Sequence, residues 1–340
     1  MNVGRSWLLA LLTLSGICAA RADAVEDFYK GKTITLIVST TAGSSYDLMG
    51  RTIAHHLGKF IPGNPQIIVR NQPGAGGITA ANTLFRTAPK DGTVIAGLQG
   101  SVPFEPLLGT KEADFDASKF NWLGSPSTET CVLTVWGEAA AKSISAARQQ
   151  EVTVGSSGVN ANPSFTARLL NSVLGTKLRL IYGYPGQPDV FLAMEKGEVD
   201  GHPCVFWSAL VSTRPAWLKE KKVNLLLQYG PAKEADLPDV PFIGDLVTNA
   251  EDRLLLDAAF APLALGRPYV MPPDVPADRV AALRKAMDEV YRDRDFIAET
   301  KQVNLSVNLP RTGADIQDLV HRTYAMPAST IERLKSLSNQ

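Results

Sequence analysis

Apolar residues recur along this chain in short continuous runs, separated by stretches in which they return at helical spacing. "TITLIVS" (33–39) predicts a buried strand, and in "DLMGRTIAHHLGKF" the residues Leu48, Ile53 and Leu57 share one helical face. "QIIVR" then predicts a strand, "ITAANTLFRTA" a helix and "TVIAGLQ" a strand, with "PKDG" (89–92) as the turn between the last two. A second set follows Trp122. "TCVLTVW", "EVTVGSS", "LRLIYGY" and "VDGHPCVF" read as strands, and "NPSFTARLLNSVLG" and "DVFLAMEKGE" as helices. Alternation of this kind predicts an α/β protein with parallel strands covered by helices. The proline-punctuated "LPDVPFIGDL" (237–246) reads as a connector opening a third portion. There Asp278 is the expected cap of a long amphipathic helix, and "TGADIQDLVHRTY" gives one more helix. The expected organisation is two α/β lobes, the second inserted into the first. Lobe 1 takes residues 25–128, lobe 2 takes 129–236, and 237–340 complete lobe 1 and add the C-terminal helices.

The N-terminus changes the compartment. Arg5 precedes an apolar core too short to span a bilayer comfortably, and small residues stand at A-x-A spacing at Ala20/Ala22 and Ala22/Ala24. Residues 1–24 are therefore read as a secretory signal cleaved after Ala24, which places the mature chain in the periplasm. Bulky Ile17 before Cys18 departs from a lipoprotein signal. The chain carries 34 basic and 34 acidic residues without a basic tract, which argues against nucleic acid or an anionic membrane as partner. Cys131 and Cys204 remain after cleavage. In an oxidising compartment they either pair or stay as two buried thiols, and both readings stand at this point.

Catalytic and metal motifs are missing from the sequence. His55 and His56 are neighbours on a helix and project roughly 100° apart, so on the helix alone they do not clamp one metal. No HExxH or CxxC is present, and no metal site and no cofactor are expected. "VGSSGVN" lacks the spacing of a nucleophile elbow, and no P-loop sequence occurs. The loop "RNQPGAGG" (70–77) is rich in glycine, but Thr79 stands where a dinucleotide fingerprint needs its third glycine.

Six motifs in order resemble a known family. "STTAGSSYDLMGR" matches the pattern PFAPGGGTDxxAR at Gly43, Asp47 and Arg51, "RNQPGAGG" matches ENRPGAGG, and "APKDGTVI" matches APDGYTL. In the second half "VGSSGVNA" matches YGSSGxGS, and "YPGQPDVFLAMEKGEVD" matches the YKG…GGQVD pattern. "LPDVP" with "PPDVPADRVAALRKA" completes a similarity spanning most of residues 28–295. These motifs resemble those of the Bug family, the periplasmic receptors of tripartite tricarboxylate transporters. The resemblance implies a type II periplasmic binding protein, two α/β lobes joined by a hinge with a ligand cleft between them. It further implies a monomeric receptor that binds a small organic carboxylate and delivers it to a membrane permease. A periplasmic sensor feeding a signalling partner is the alternative, and a secreted enzyme on the same fold a more remote one.

Candidate ligand contacts follow from both lines. Two loops run from a strand into a helix, where unpaired N–H groups and the helix dipole suit a carboxylate. The first offers Thr40, Thr41, Ala42, Gly43, Ser44 and Tyr46, with Tyr46 expected at the exposed tip. The second offers Ser156, Ser157, Gly158 and Asn160. Ser101 follows a strand, Tyr184 and Gly186 align with the family's YKG, and His202 follows a second-lobe strand. Asp47 is expected to brace its own loop, and Gly74, Gly76 and Gly77 to make a tight turn packed on the neighbouring loop. Two family glycines are replaced by Ser44 and Ser45, and the lysine of YKG by Pro185, so the ligand need not be the family's usual one.

Overall fold

The computed structural model describes residues 24–159, 161–305 and 307–338. The signal-peptide reading of residues 1–24 therefore lies almost wholly outside the described residues, as does Asn160. The strands are β1 (Thr33–Val38), β2 (Gln66–Asn71), β3 (Val94–Gly97), β4 (Asn121–Ser125), β5 (Cys131–Trp136), β6 (Val152–Gly155), β7 (Leu178–Ile181), β8 (Gly201–Phe206), β9 (Val223–Tyr229), β10 (Tyr269–Met271) and β11 (Arg311–Thr312). The helices used below are α1 (Ser45–Leu57), α2 (Ile78–Arg86), α3 (Asn162–Leu174), α4 (Gln187–Glu195), α5 (Ala250–Leu265), α6 (Ala277–Arg292), α7 (Arg294–Gln302) and α8 (Ala328–Ser338). No helix among the described residues is long and apolar enough to cross a membrane.

The chain forms two compact units. The first holds Met1–Ser127 and Leu265–His321, the second Thr128–Ala264 and Arg322–Gln340. Their sheets repeat one plan. In the first the order is β11-β4-β10-β3-β1-β2, in the second β7-β6-β8-β5-β9. Each sheet thus has a central parallel strand, β1 or β6, flanked by two parallel partners. A reversed strand, β10 or β5, then separates these from the last parallel one. This is the type II arrangement, and it puts the βα loops of each unit beyond the carboxyl ends of its parallel strands.

Local sequence explains the packing. In the first unit alternate residues of β1 (Ile34, Leu36 and Val38) are buried against Met49, Ile53 and Leu57 of α1 and against Leu283, Met287 and Val290 of α6. Each such side chain contributes about 1.5–3 kcal/mol of burial. In the second unit Val132, Val205, Phe191, Met194 and Trp217 form the core, with the Trp217 ring edge-on to Trp136 and Phe191.

Three expectations need correction. Residues 237–264 and 322–338 belong to the second unit. Gln228 of β9 binds "LPDVP" by donating from Nε2 to the Leu237 and Val240 carbonyls, both at 2.8 Å. The last helix returns to α3, where Arg168 donates to the Leu337 carbonyl at 2.6 Å and Arg333 links Asp252 of α5 to Ser172. Chain order suggested the reverse, since a C-terminal segment that crosses back leaves no mark in local periodicity. Asp278 lies inside the first turn of α6, whose cap position is Pro276 without a capping side chain. Strands β4, β9, β10 and β11 and helix α5 were not expected.

Candidate functional site

In the first unit the loop after β1 is organised by Asp47. Its carboxylate accepts from the Gly43 N–H at 2.8 Å, from Arg51 Nε at 3.0 Å and from Asn71 Nδ2 at 2.8 Å. Asn71 also donates to the Thr40 carbonyl, so β2 ties down the loop that follows β1. Ser44 caps α1, accepting from the Asp47 N–H at 3.2 Å, and its hydroxyl pairs with that of Thr40 at 2.6 Å. Thr41, Ala42 and Gly43 are exposed. Burial works against ionisation of Asp47, but the bonds from Arg51, Gly43 and Asn71 outweigh it and hold the carboxyl below the usual carboxylate range. Asp47→Asn should therefore cost about 2 kcal/mol at neutral pH, by weakening the charge-assisted bonds from Arg51, Gly43 and Asn71 that hold the loop. Because the folded-state pKa is depressed, that gap is full above about pH 4 and closes as acid protonates the wild-type carboxyl. Urea unfolding of both proteins across acid pH checks both statements.

Tyr46 is not at an exposed tip. It is half-buried against the first unit's core, its hydroxyl donates to the Gly266 carbonyl at 3.4 Å, and the Arg267 guanidinium lies 5.6 Å from the ring centroid. The first turn of α1 points this side chain inward, which the loop's hydrophilic sequence concealed. Ser101 is exposed at the start of a short helical turn. In the "PGAGG" loop, Gly77 adopts φ 102°, and a Cβ there would meet Val102 at 2.9 Å and Ser39 at 3.3 Å. Gln99 donates to the Gly76 carbonyl at 2.7 Å. The glycines seat this turn against the loop after β3 and deliver the chain to α2.

The second unit holds a cavity of about 260 Å³ lined by Ser156, Ser157, Asn162, Pro163, Gly186, Gln187, Val190, His202, Cys204 and Phe206. It lies at the carboxyl ends of the adjacent parallel strands β7, β6 and β8. Two helices begin at its wall. The cap positions of α3 and α4, Ala161 and Gly186, contribute no capping side chain, and each helix carries proline in its first turn. The Asn162 and Gln187 N–H groups accordingly have no acceptor among the described residues. Two uncapped positive helix ends at one cavity form an anion-binding arrangement.

The rest of the wall is neutral. Ser164 holds the loop after β6 by donating to the Gly158 carbonyl at 2.6 Å, with its hydroxyl 2.7 Å from that of Ser156. A Cβ on Gly155 would lie 2.5 Å from Val190, so glycine there lets α4 close on β6. His202 is buried, and its Nδ1 accepts from the Cys204 N–H at 3.2 Å, which leaves the proton on Nε2. Burial pushes its pKa down to about 4, so the ring is a neutral donor at physiological pH. Cys131 and Cys204 form a disulfide with Cα atoms 5.1 Å apart, bracing β5 and β8 beside the cavity. The lining contains no lysine, arginine or carboxylate side chain. Asp189, in the first turn of α4, is the nearest acidic group in sequence.

Of the expected contacts, the structure brings Ser156, Ser157, Gly186 and His202 to this cavity. Tyr184 packs on the unit's core, and Gly158 is engaged through its carbonyl. Asn162, Pro163, Gln187, Val190 and Phe206 were missed. The signal for the first three was legible, since "NP" and "QP" after a short polar loop mark helix starts without a capping hydroxyl. One further difference concerns the adjacent histidines. His55 Nδ1 and His56 Nε2 each lie 2.8 Å from the same Glu299 carboxylate oxygen. The 100° divergence holds for the Cβ directions, and the rings turn back toward a residue more than 240 positions later.

Comparisons with known proteins bear on the family and the fold. A family model described as "Tripartite tricarboxylate transporter family receptor" matches residues 50–319. A UPF0065 protein from the gbd 5′ region of Cupriavidus necator is 27% identical over 296 residues, covering 84% of both chains. The crystal structure of a TctC solute binding protein from Polaromonas is similar at TM-score 0.72 and 20% identity, covering 90% of this chain and 99% of that one. MatC from Rhodopseudomonas palustris, solved with bound malate, is similar at TM-score 0.57 and 20% identity, with the same coverage.

Proposed function

Because this chain belongs to the tripartite tricarboxylate transporter receptor family, we propose that it captures a small organic carboxylate in the periplasm and passes it, unaltered, to the membrane permease of a tripartite transporter. Members of the family are solute-binding receptors rather than enzymes. The observation that carries the reading is the second unit's cavity, where the uncapped N-termini of α3 and α4 meet neutral donors and no cation. A carboxylate there accepts from the Asn162 and Gln187 N–H groups and from Ser157, with His202 Nε2–H as a further donor. The two N–H groups are fixed by the backbone and the His202 ring by its bond to the Cys204 N–H before the ligand arrives, so little ordering cost is added on binding. An arginine clamp is unnecessary, because helix ends supply positive potential without a mobile charge. The cavity of about 260 Å³ suits an acid of four to six carbons.

Residues 1–24 serve in this reading as the export signal, and the receptor works as a monomer without a cofactor. The test is a thermal-shift panel on ligand-stripped protein with malate, succinate, adipate, citrate and benzoate. At a hundredfold excess over Kd a true ligand adds about 2.7 kcal/mol, and the melting temperature rises by several degrees. If no acid shifts the transition, or if a bound acid is chemically converted, the receptor reading fails.

A further inference from the structure

The first unit carries a cluster that plays no part in the proposed carboxylate site. The last turn of α1 presents His55 and His56 to Glu299 on α7. His55 Nδ1 and His56 Nε2 both lie 2.8 Å from Glu299 Oε2, and these three atoms are all within 4.8 Å of one another. Behind them, His56 Nδ1 faces Asp293 Oδ2 at 3.4 Å, and Asp293 also pairs with Lys59. His56 is enclosed, its side chain 8% exposed beside the Phe296 ring, whereas His55 is 70% exposed.

We propose that His55, His56 and Glu299 form a binding site for a divalent transition-metal cation of zinc type. The chemistry is specified from both sides of His56. The neutral His56 ring has one proton for two carboxylates, Glu299 facing Nε2 and Asp293 facing Nδ1. A cation between Nε2 and Glu299 takes the place of a proton on that side and leaves Nδ1–H for Asp293. A cation there gains His55 Nδ1 as a further ligand and Asp293 as the carboxylate that orients the His56 ring. Two imidazoles and one carboxylate select zinc, nickel or copper over calcium and magnesium, which prefer oxygen donors. Zinc bonds of about 2.0–2.2 Å place ligand atoms roughly 3.4 Å apart in a tetrahedron. The two contacts with Glu299 are already shorter than this, and the exposed His55 ring has room to close the remaining gap. Its exposure also leaves the fourth position to water. Occupancy would tie the C-terminal turn of α1 to α7, a staple within the first unit.

The experiment is isothermal titration of zinc chloride into chelator-washed protein lacking any polyhistidine tag, with calcium chloride as a separate arm. Cobalt chloride serves as a spectroscopic probe. The expected result is one zinc per chain, a visible absorption band of tetrahedral cobalt, and a melting temperature raised by zinc but not by calcium. His55→Ala and Glu299→Gln, both at accessible positions, should each weaken zinc affinity at least about tenfold and abolish the cobalt band. Asp293→Asn should weaken it by about tenfold through the orienting bond. Zinc binding that survives His55→Ala and Glu299→Gln unchanged would overturn the assignment, as would no binding at millimolar zinc or equal binding of calcium. These readouts are independent of any carboxylate, so they stand whether or not the proposed ligand site does.

Discussion

Replacing Ser157 with aspartate is expected to abolish capture of whichever acid in the panel binds best. Ser157 is exposed on the cavity wall after β6 and makes no hydrogen bond among the described residues that the fold depends on. A carboxylate at this position would face the bound one at a separation of about 5 Å. At an effective dielectric of 20 that repulsion is about 3 kcal/mol, a loss of more than about 100-fold in affinity. Ser157→Ala, which removes one neutral donor, should cost about 1 kcal/mol, or roughly fivefold. Both variants should melt close to the wild type, since surface substitutions of this kind stay within about 0.5 kcal/mol. Calorimetric titration of the three proteins separates the cases. Retained affinity in Ser157→Asp would place the carboxylate away from the α3 and α4 termini.

The second large effect is in the acid stability of the second unit. His202 is buried and neutral, with its pKa lowered to about 4. The unfolded chain, with an ordinary value near 6.5, binds the proton that the folded state refuses. Stability therefore falls as pH drops from about 6.5 to about 4, and the penalty is fully developed below the folded-state value. Two and a half pKa units amount to about 3 kcal/mol. His202→Asn can keep the bond with the Cys204 N–H, because its side-chain oxygen accepts where Nδ1 did. It cannot take up the proton. Denaturant unfolding at pH 7 and pH 4 should show the wild type losing about 3 kcal/mol more than the variant across that interval. An equal loss in both would mean that the folded protein accommodates a charged imidazole at this position. Above about pH 5 the same neutral ring should leave carboxylate affinity insensitive to His202 titration.

Much of the sheet plan was legible in the sequence. β1, β2, β3, β5, β6, β7 and β8 each follow from a short apolar run, because a strand buried on a sheet needs nothing more to mark it. β10 is three residues between Pro268 and Pro272, too short for any period to show. Its place between β3 and β4 is set by pairing with strands more than 140 residues earlier. The second unit's claim on residues 237–264 rests on the side-chain amide of Gln228 binding two carbonyls, and no pattern of apolar residues encodes that. The same limit applies at the candidate site. The "GSSG" loop was visible as a strand-to-helix junction, whereas His202, expected just after a strand, lies within β8. That α3 and α4 would open onto one cavity depends on β7 and β6 being neighbours, which the sheet order supplies. Ser44, read as a ligand donor, also caps its own helix, because an N-cap hydroxyl finds its partner three residues away.

The most direct measurement is a crystal structure of the protein with the best acid from the panel. The expected density is a carboxylate in the second unit's cavity, its oxygens about 3 Å from the Asn162 and Gln187 backbone nitrogens, with His202 Nε2 turned toward the ligand. A carboxylate bound by an arginine or lysine side chain elsewhere, with water alone at the two helix ends, would contradict it.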